Sequence, residues 1–168
     1  MRQSSSYLKL KDYFRNLVEQ SHFINDFSGY FARELHNKQS SFNNFQSPCL
    51  ALFGYSMGMD GEDLSNVAVR KMNFGIIFND IPPDDFESQY TAIDKAEALA
   101  IKVVARMRLD SNNPNHFLHT AFIKNSVEIT PVELDGVGLF GVEVSFQIKN
   151  IQSLSVNPDD WEDINKVC

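Results

Sequence analysis

Apolar residues first fall into register at Leu10, Tyr13, Phe14, Leu17 and Val18. Steps of three and one place all five on one side of a helix. They predict an amphipathic helix over Tyr7 to Ser21, behind a polar, serine-rich lead-in at Met1 to Ser6. The spacing resumes from Asn25 with Phe27, Tyr30, Phe31 and Leu35 and predicts a second helix, which Gly29 and the Asn25-Asp26 pair keep from being one continuous rod. His36 to Pro48, rich in Asn, Ser and Gln, reads as a connection anchored by Phe42 and Phe45.

The period then changes to two. Cys49 to Met57 is apolar on both parities, with Ala51, Phe53 and Tyr55 against Leu50 and Leu52, which fits a central strand covered on both faces. Met59 to Asp63 supplies turn chemistry, and Val67 to Phe78 follows as a second strand in which Met72, Phe74, Ile76 and Phe78 alternate. Val67 and Val69 fall on the other parity, so a bulge or twist is expected near Arg70 and Lys71. Ile81-Pro82-Pro83 stops the strand. Asp84, with Glu87 three residues on, opens a helix to about Leu109, whose core side is read as Tyr90, Ile93, Leu99 or Ala100, Val103, Val104 and Met107. Val127 to Leu134 and Val137 to Ile148 form a last hairpin about the favoured turn dipeptide Asp135-Gly136. Its second strand alternates most clearly, with Phe140, Val142, Val144, Phe146 and Ile148 facing one way. Pro131 places the first at a sheet edge or at a bulge.

The order helix, helix, strand, strand, helix, strand, strand defines an α+β domain. Its sheet is mainly antiparallel, built of two long hairpins with a crossing central helix and the N-terminal helices packed on it. A chain of 168 residues, 43% hydrophobic, suits one domain with one core, the acidic segment 151–168 being peripheral. The two cysteines, Cys49 and Cys168, make no disulfide framework; with no leader-like opening they point to thiols in an intracellular setting. No apolar run approaches the roughly 20 residues that span a bilayer.

The net charge of −7 is opposite in sign to a phosphate-binding surface and argues against nucleic acid as a partner. The charge is also uneven. Residues 1–45 carry six basic and four acidic side chains, and residues 126–168 carry two basic and eight acidic. Such a gradient can steer head-to-tail association, or simply keep a monomer soluble.

No catalytic constellation emerges. His116 and His119 have a spacing that could place two metal ligands on one helical turn, but Pro114 and the lack of a nearby third ligand favour hydrogen-bonding roles. Cys49 opens an apolar strand and reads as an inert buried thiol. Asp60, Glu62 and Asp63 lack the ligand alternation of a calcium loop and read as a solvated hairpin tip. Asp80, Asp84, Asp85 and Glu87 are explained by turns and helix capping. The glycines and Ser56 fit neither a phosphate loop nor a nucleophile elbow. What stands out is 14 Phe, enough aromatic surface to fill a small core, with the second face of the 49–57 strand to be covered either by a neighbouring subunit or by the first helices.

In element order and length, from Tyr7 to Asn150, the chain resembles the tail terminator, or tail-completion, proteins of long-tailed bacteriophages and related contractile injection systems. The closing glycine and alternating strand from Gly138 to Ile148, GLFGVEVSFQI, is the most family-like piece. The aromatic segment Phe23 to Phe45 and the acidic stretch after Asn150 depart from the simplest family pattern. The resemblance implies a non-enzymatic ring without cofactor or metal, commonly of six copies. Such a ring caps the tail tube and joins it to the head-side connector, working in the bacterial cytoplasm during assembly and then in the virion tail or injection apparatus. It implies partner contacts at the first hairpin tip, with Asp60, Glu62 and Asp63, and at the final turn, with Asp135 and Gly136. The alternative reading is a small ligand-binding or regulatory module, possibly dimeric, with a pocket beneath the aromatic N-terminal helices.

Overall fold

A computed structural model of the chain describes residues 6–40, 45–61, 66–79, 81–82, 84–134 and 138–163. The elements run α1 (Tyr7–Gln20), β1 (Asp26–Ser28), α2 (Ala32–Ser40), β2 (Cys49–Asp60), β3 (Val67–Phe78), α3 (Phe86–Ser111), β4 (Phe122–Leu134) and β5 (Leu139–Ile151). One five-stranded sheet has the order β1-β2-β3-β5-β4, antiparallel throughout except for the parallel pair β1 and β2. The fold is α+β.

Helix α1 forms as its periodicity predicts. The Ser6 hydroxyl accepts the Lys9 N–H at 3.2 Å to cap it, and Leu10, Tyr13, Phe14, Leu17 and Val18 are its buried residues. The segment after it differs from expectation. Residues 26–28 are a strand, because Asp26, Phe27 and Ser28 pair with Cys49, Leu50 and Ala51 and satisfy the outer edge of β2. The second helix therefore begins only at Ala32, beyond Gly29, whose N–H donates to the Glu34 carboxylate at 2.8 Å.

The β2 strand is buried over Cys49–Leu52 and exposed over Ser56–Asp60, so it is covered on both faces at one end alone. The irregularity expected near Arg70 and Lys71 lies instead in β2. Leu52 pairs with Phe74 and Gly54 with Asn73, leaving Phe53 as the extra residue. Strand β3 runs without a register shift against β5 from Val67↔Ile151 to Phe78↔Phe140. Its core parity continues outward through Ala68 and Arg70, both buried, which is why no parity switch is needed. Strand β4 is the edge on which Pro131 sits, and it also carries a register shift between Ile123 and Glu128. At that shift the Ser126 hydroxyl donates to the Ile123 carbonyl at 2.7 Å and accepts the Gln147 N–H at 2.8 Å.

Helix α3 is capped one residue later than expected, by Asp85 rather than Asp84: its Oδ1 accepts the Ser88 N–H at 3.1 Å. Its buried stripe is Gln89, Ala92, Ala96, Ala100, Val103 and Met107. Tyr90, expected in the core, is 65% exposed. The helix turns its alanines to the sheet, which permits close approach, and Ile93, Leu99 and Val104 pack at the flanks. Helices α1 and α3 share one sheet face over Leu50, Leu52, Met72, Phe74, Ile76, Val142, Val144, Phe146 and Ile148. Helix α2 lies across one end of the other face, where Leu35 packs with Cys49, Ala51, Ile77 and Leu139. Farther along that face Val67, Val69 and Ile123 are interspersed with polar side chains, and Asn73 Nδ2 donates to Glu143 Oε1 across it at 2.6 Å.

Candidate interaction surfaces

The paired β2 and β3 project past the helical cover. Met57 and Met59 are 50% and 45% exposed on the same parity that buries Leu50 and Leu52 further down, once the Phe53 bulge is counted. Asp60 closes the strand. Lys149 of β5 donates to its carboxylate at 3.0 Å, and Gly61 N–H donates to the other oxygen at 2.9 Å. The Lys149 hydrogen bond is the first cause holding the Asp60 carboxyl below its ordinary range. Of the residues assigned to partner contact, Glu62, Asp63, Asp135 and Gly136 lie outside the described residues. The flanks of the two turns are at opposite ends of the sheet, since Asp60 pairs with Val67 and Val67 with Ile151, whereas Leu134 pairs with Leu139.

At the hairpin end Arg70 is buried on the helical face, its Nη1 donating to Asn150 and its Nη2 to Gln152 Oε1 at 3.4 Å. Gln152 N–H in turn donates to the Asn66 carbonyl at 3.0 Å. These bonds fix where the chain leaves β5. Nearby, a polar groove of roughly 490 Å³ lies between the α3–β4 connection and the Asn150 edge. His116 and His119 both line it, but each has one ring nitrogen engaged by backbone. His116 Nδ1 accepts the Leu118 N–H at 3.2 Å, and His119 Nδ1 is 3.1 Å from the Ser111 carbonyl, which fixes it as the donor. Burial lowers the His116 pKa, the opposing field of Asp110 being weaker. Among the described residues, no group of three or more His, Cys, Asp or Glu side chains gathers as metal ligands would. Cys49 is fully buried, and burial pushes its thiol up to about 12. Among the described residues, no helix is long and apolar enough to cross a membrane.

The opposite end of the sheet carries an apolar groove of about 510 Å³ beside α2. Tyr30, Phe31, Leu35, Phe53, Leu134 and Leu139 form most of it. Among the described residues that line it, the ionisable side chains besides Tyr30 are Arg33 and His36, with no carboxylate. Phe31 is 66% exposed. Tyr30 is held there by stacking on Tyr7 of α1 at 4.3 Å between ring centres, and Tyr55 of β2 closes the cluster edge-on. The pattern of the sequence pointed to Phe27, Tyr30, Phe31 and Leu35 as one helical stripe. The structure divides them: Phe27 joins the strand, and the other three surround the groove.

Beyond β5 the chain runs from Gln152 to Asn157 without regular structure and ends its described part in a short 3-10 turn at Pro158–Asp160. Leu154, Val156 and Trp161 are 56%, 58% and 57% exposed. They are separated by Asn157, Pro158 and the acidic Asp159 and Asp160, and followed by Glu162 and Asp163. The chain matches no family model, and no curated protein matches it in sequence.

Proposed function

We propose that this chain is a non-enzymatic structural subunit that assembles with copies of itself into a ring. It would thereby play the part of the tail terminator proteins it resembles in element order, capping a tail tube and joining it to a head-side connector. The observation that carries the reading is that the two ends of one sheet present unlike exposed surfaces. The hairpin end offers Met57, Met59 and the apolar side chains that follow β5; the other end offers the apolar groove beside α2. Unlike surfaces at opposite ends are the requirement for head-to-tail contact, which closes into rings when the rotation allows. The two turns likewise lie at opposite ends, a placement suited to one partner on each side of a ring.

Electron microscopy of the purified chain tests this. Closed rings of uniform diameter are expected; open filaments or isolated two-fold dimers contradict the ring. A second reading, a ligand-binding module, is favoured by the groove alone, whose volume suits a small apolar molecule. A concentration-dependent rise in melting temperature with such a molecule, in a chain that stays monomeric, would support it instead.

A further inference from the structure

We infer that the segment following β5, Leu154 to Asp163, docks into the apolar groove beside α2 of a neighbouring copy, and that this is the contact that joins subunits. The inference rests on the ring reading and names its interface. It is carried by three observations.

The first is the chemistry of the segment. Leu154 and Val156 flank Ser155, whose N–H donates to Ser153 Oγ at 3.2 Å in a local turn, and each is more than half exposed on its own subunit. Trp161 adds a third apolar side chain. Aromatic and aliphatic groups held in solvent on an ordered chain mark contact surfaces rather than core.

The second is charge. The segment carries Asp159, Asp160, Glu162 and Asp163, and among the described residues the groove's lining holds Arg33 and His36 and no carboxylate. Of the nearby carboxylates, Glu34 of α2 accepts the Gly29 N–H at the groove's margin and Asp26 is engaged by Lys38, so each already has a partner. An acidic segment with exposed apolar side chains therefore meets an apolar groove that carries Arg33.

The third is reach, which decides between the chain's own groove and a neighbour's. The segment leaves at Ile151, paired with Val67 at the hairpin end, whereas the groove is lined by Leu139 at the start of β5. The near wall of the groove, Ala51 and Leu52, is level through Gly75 and Phe74 with Glu143 and Val144 of β5, so about seven residues, roughly 23 Å at ~3.3 Å per residue, separate it from Ile151. Leu154 and Val156 lie three and five residues past Ile151 and reach at most ~11 and ~18 Å. Leu154 and Val156 therefore fall short of the groove of their own subunit, and Trp161, whose reach of ~36 Å is long enough, is exposed rather than seated in it. A donor at one end and an acceptor at the other make the contact heterologous, so each copy gives one segment and receives one.

The test uses full-length chains in a Cys168→Ser background, Cys49 being buried. Val156→Cys is placed in one preparation and Ala32→Cys, on the groove wall, in another; the two are mixed and oxidised. A covalent heterodimer on denaturing gels is expected in the mixture, with little covalent product from either preparation alone. In parallel, Leu154→Ser with Val156→Ser alters only exposed side chains, so the melting temperature should hold while the concentration for half-assembly rises about tenfold or more. Absence of the heterodimer, or a double variant that assembles as the parent does, overturns the docking contact and leaves the ring standing. A parent chain that is monomeric at every concentration overturns both.

Discussion

The ring of Phe53, the extra residue of the β2 bulge, lies over Gly75 of β3: a Cβ built on Gly75 would stand 2.4 Å from Phe53 Cε2. The bulge thus turns an aromatic side chain onto the second sheet face, where it becomes a wall of the groove, and the absent side chain at position 75 makes room for it.

Three glycine-to-alanine substitutions separate this contact from others. Gly75→Ala should destabilise by about 1 kcal/mol, because the Phe53 ring end can swing toward the open groove. Gly141→Ala places its Cβ 1.9 Å from the Ile76 carbonyl oxygen, which is backbone and cannot swing, and should cost about 3 kcal/mol or more. Gly58 meets nothing within 4 Å, and its alanine variant should unfold at the parent's urea midpoint or above it. Equal midpoints for all three would refute the packing described for these strands.

Loss of the α3 cap discriminates between two adjacent aspartates. Asp85→Ala removes the acceptor for the Ser88 N–H and should lower stability by about 1 kcal/mol, while Asp84→Ala should change it little. Chemical denaturation of the two variants reads this directly, and a larger loss at Asp84 would return the helix start to the position the sequence suggested.

The Cys49 thiol supplies a pH dependence. Its pKa is raised by burial from 9.0 to about 12, so the unfolded chain releases the proton before the native one does. The associated stability is fully present below pH 9 and is lost as pH rises from there toward 12. In a Cys168→Ser background, a thiol reagent at pH 8 should leave the native chain unlabelled and label it on unfolding. Fast labelling of the native chain would contradict the burial of Cys49.

Charge reversal at the hairpin tip should affect association and not folding. Asp60 and Lys149 form an exposed pair, and such pairs contribute little to stability, so Asp60→Lys should leave the melting temperature near that of the parent. If the tip faces a partner, the same substitution weakens tail joining. A large drop in melting temperature would instead make the Asp60–Lys149 bridge a structural element.

Why some of this was legible in the sequence and some was not follows from particular residues. Leu10, Phe14 and Leu17 announce α1 because each carries its apolar signal alone, and Phe140 to Ile148 announce β5 because a strand buried on one face must alternate. Residues 26–28 are too few to show a period, and their strand conformation comes from the unpaired edge of β2 49–51. Periodicity points the core face of α3 toward Tyr90 because alanine is weakly apolar, yet small side chains are what a close helix–sheet contact selects. The parity of Val67 and Val69 points to a bulge in β3, but Ala68 and Arg70 continue the buried side there. Phe53, apolar like its neighbours, gave no sign of being the extra residue. The sequence suggests a pocket beneath the aromatic N-terminal helices but not its other wall, since the groove joins Tyr30 and Phe31 to Leu134 and Leu139, about a hundred residues on.

The central claim is self-assembly, and the mass of the purified chain by light scattering across concentration and salt tests it most directly. A discrete closed species near six times the 19.1 kDa of one chain, unchanged on further concentration, is the expected result. A mass of one chain at every concentration, or of two and no more, would contradict it.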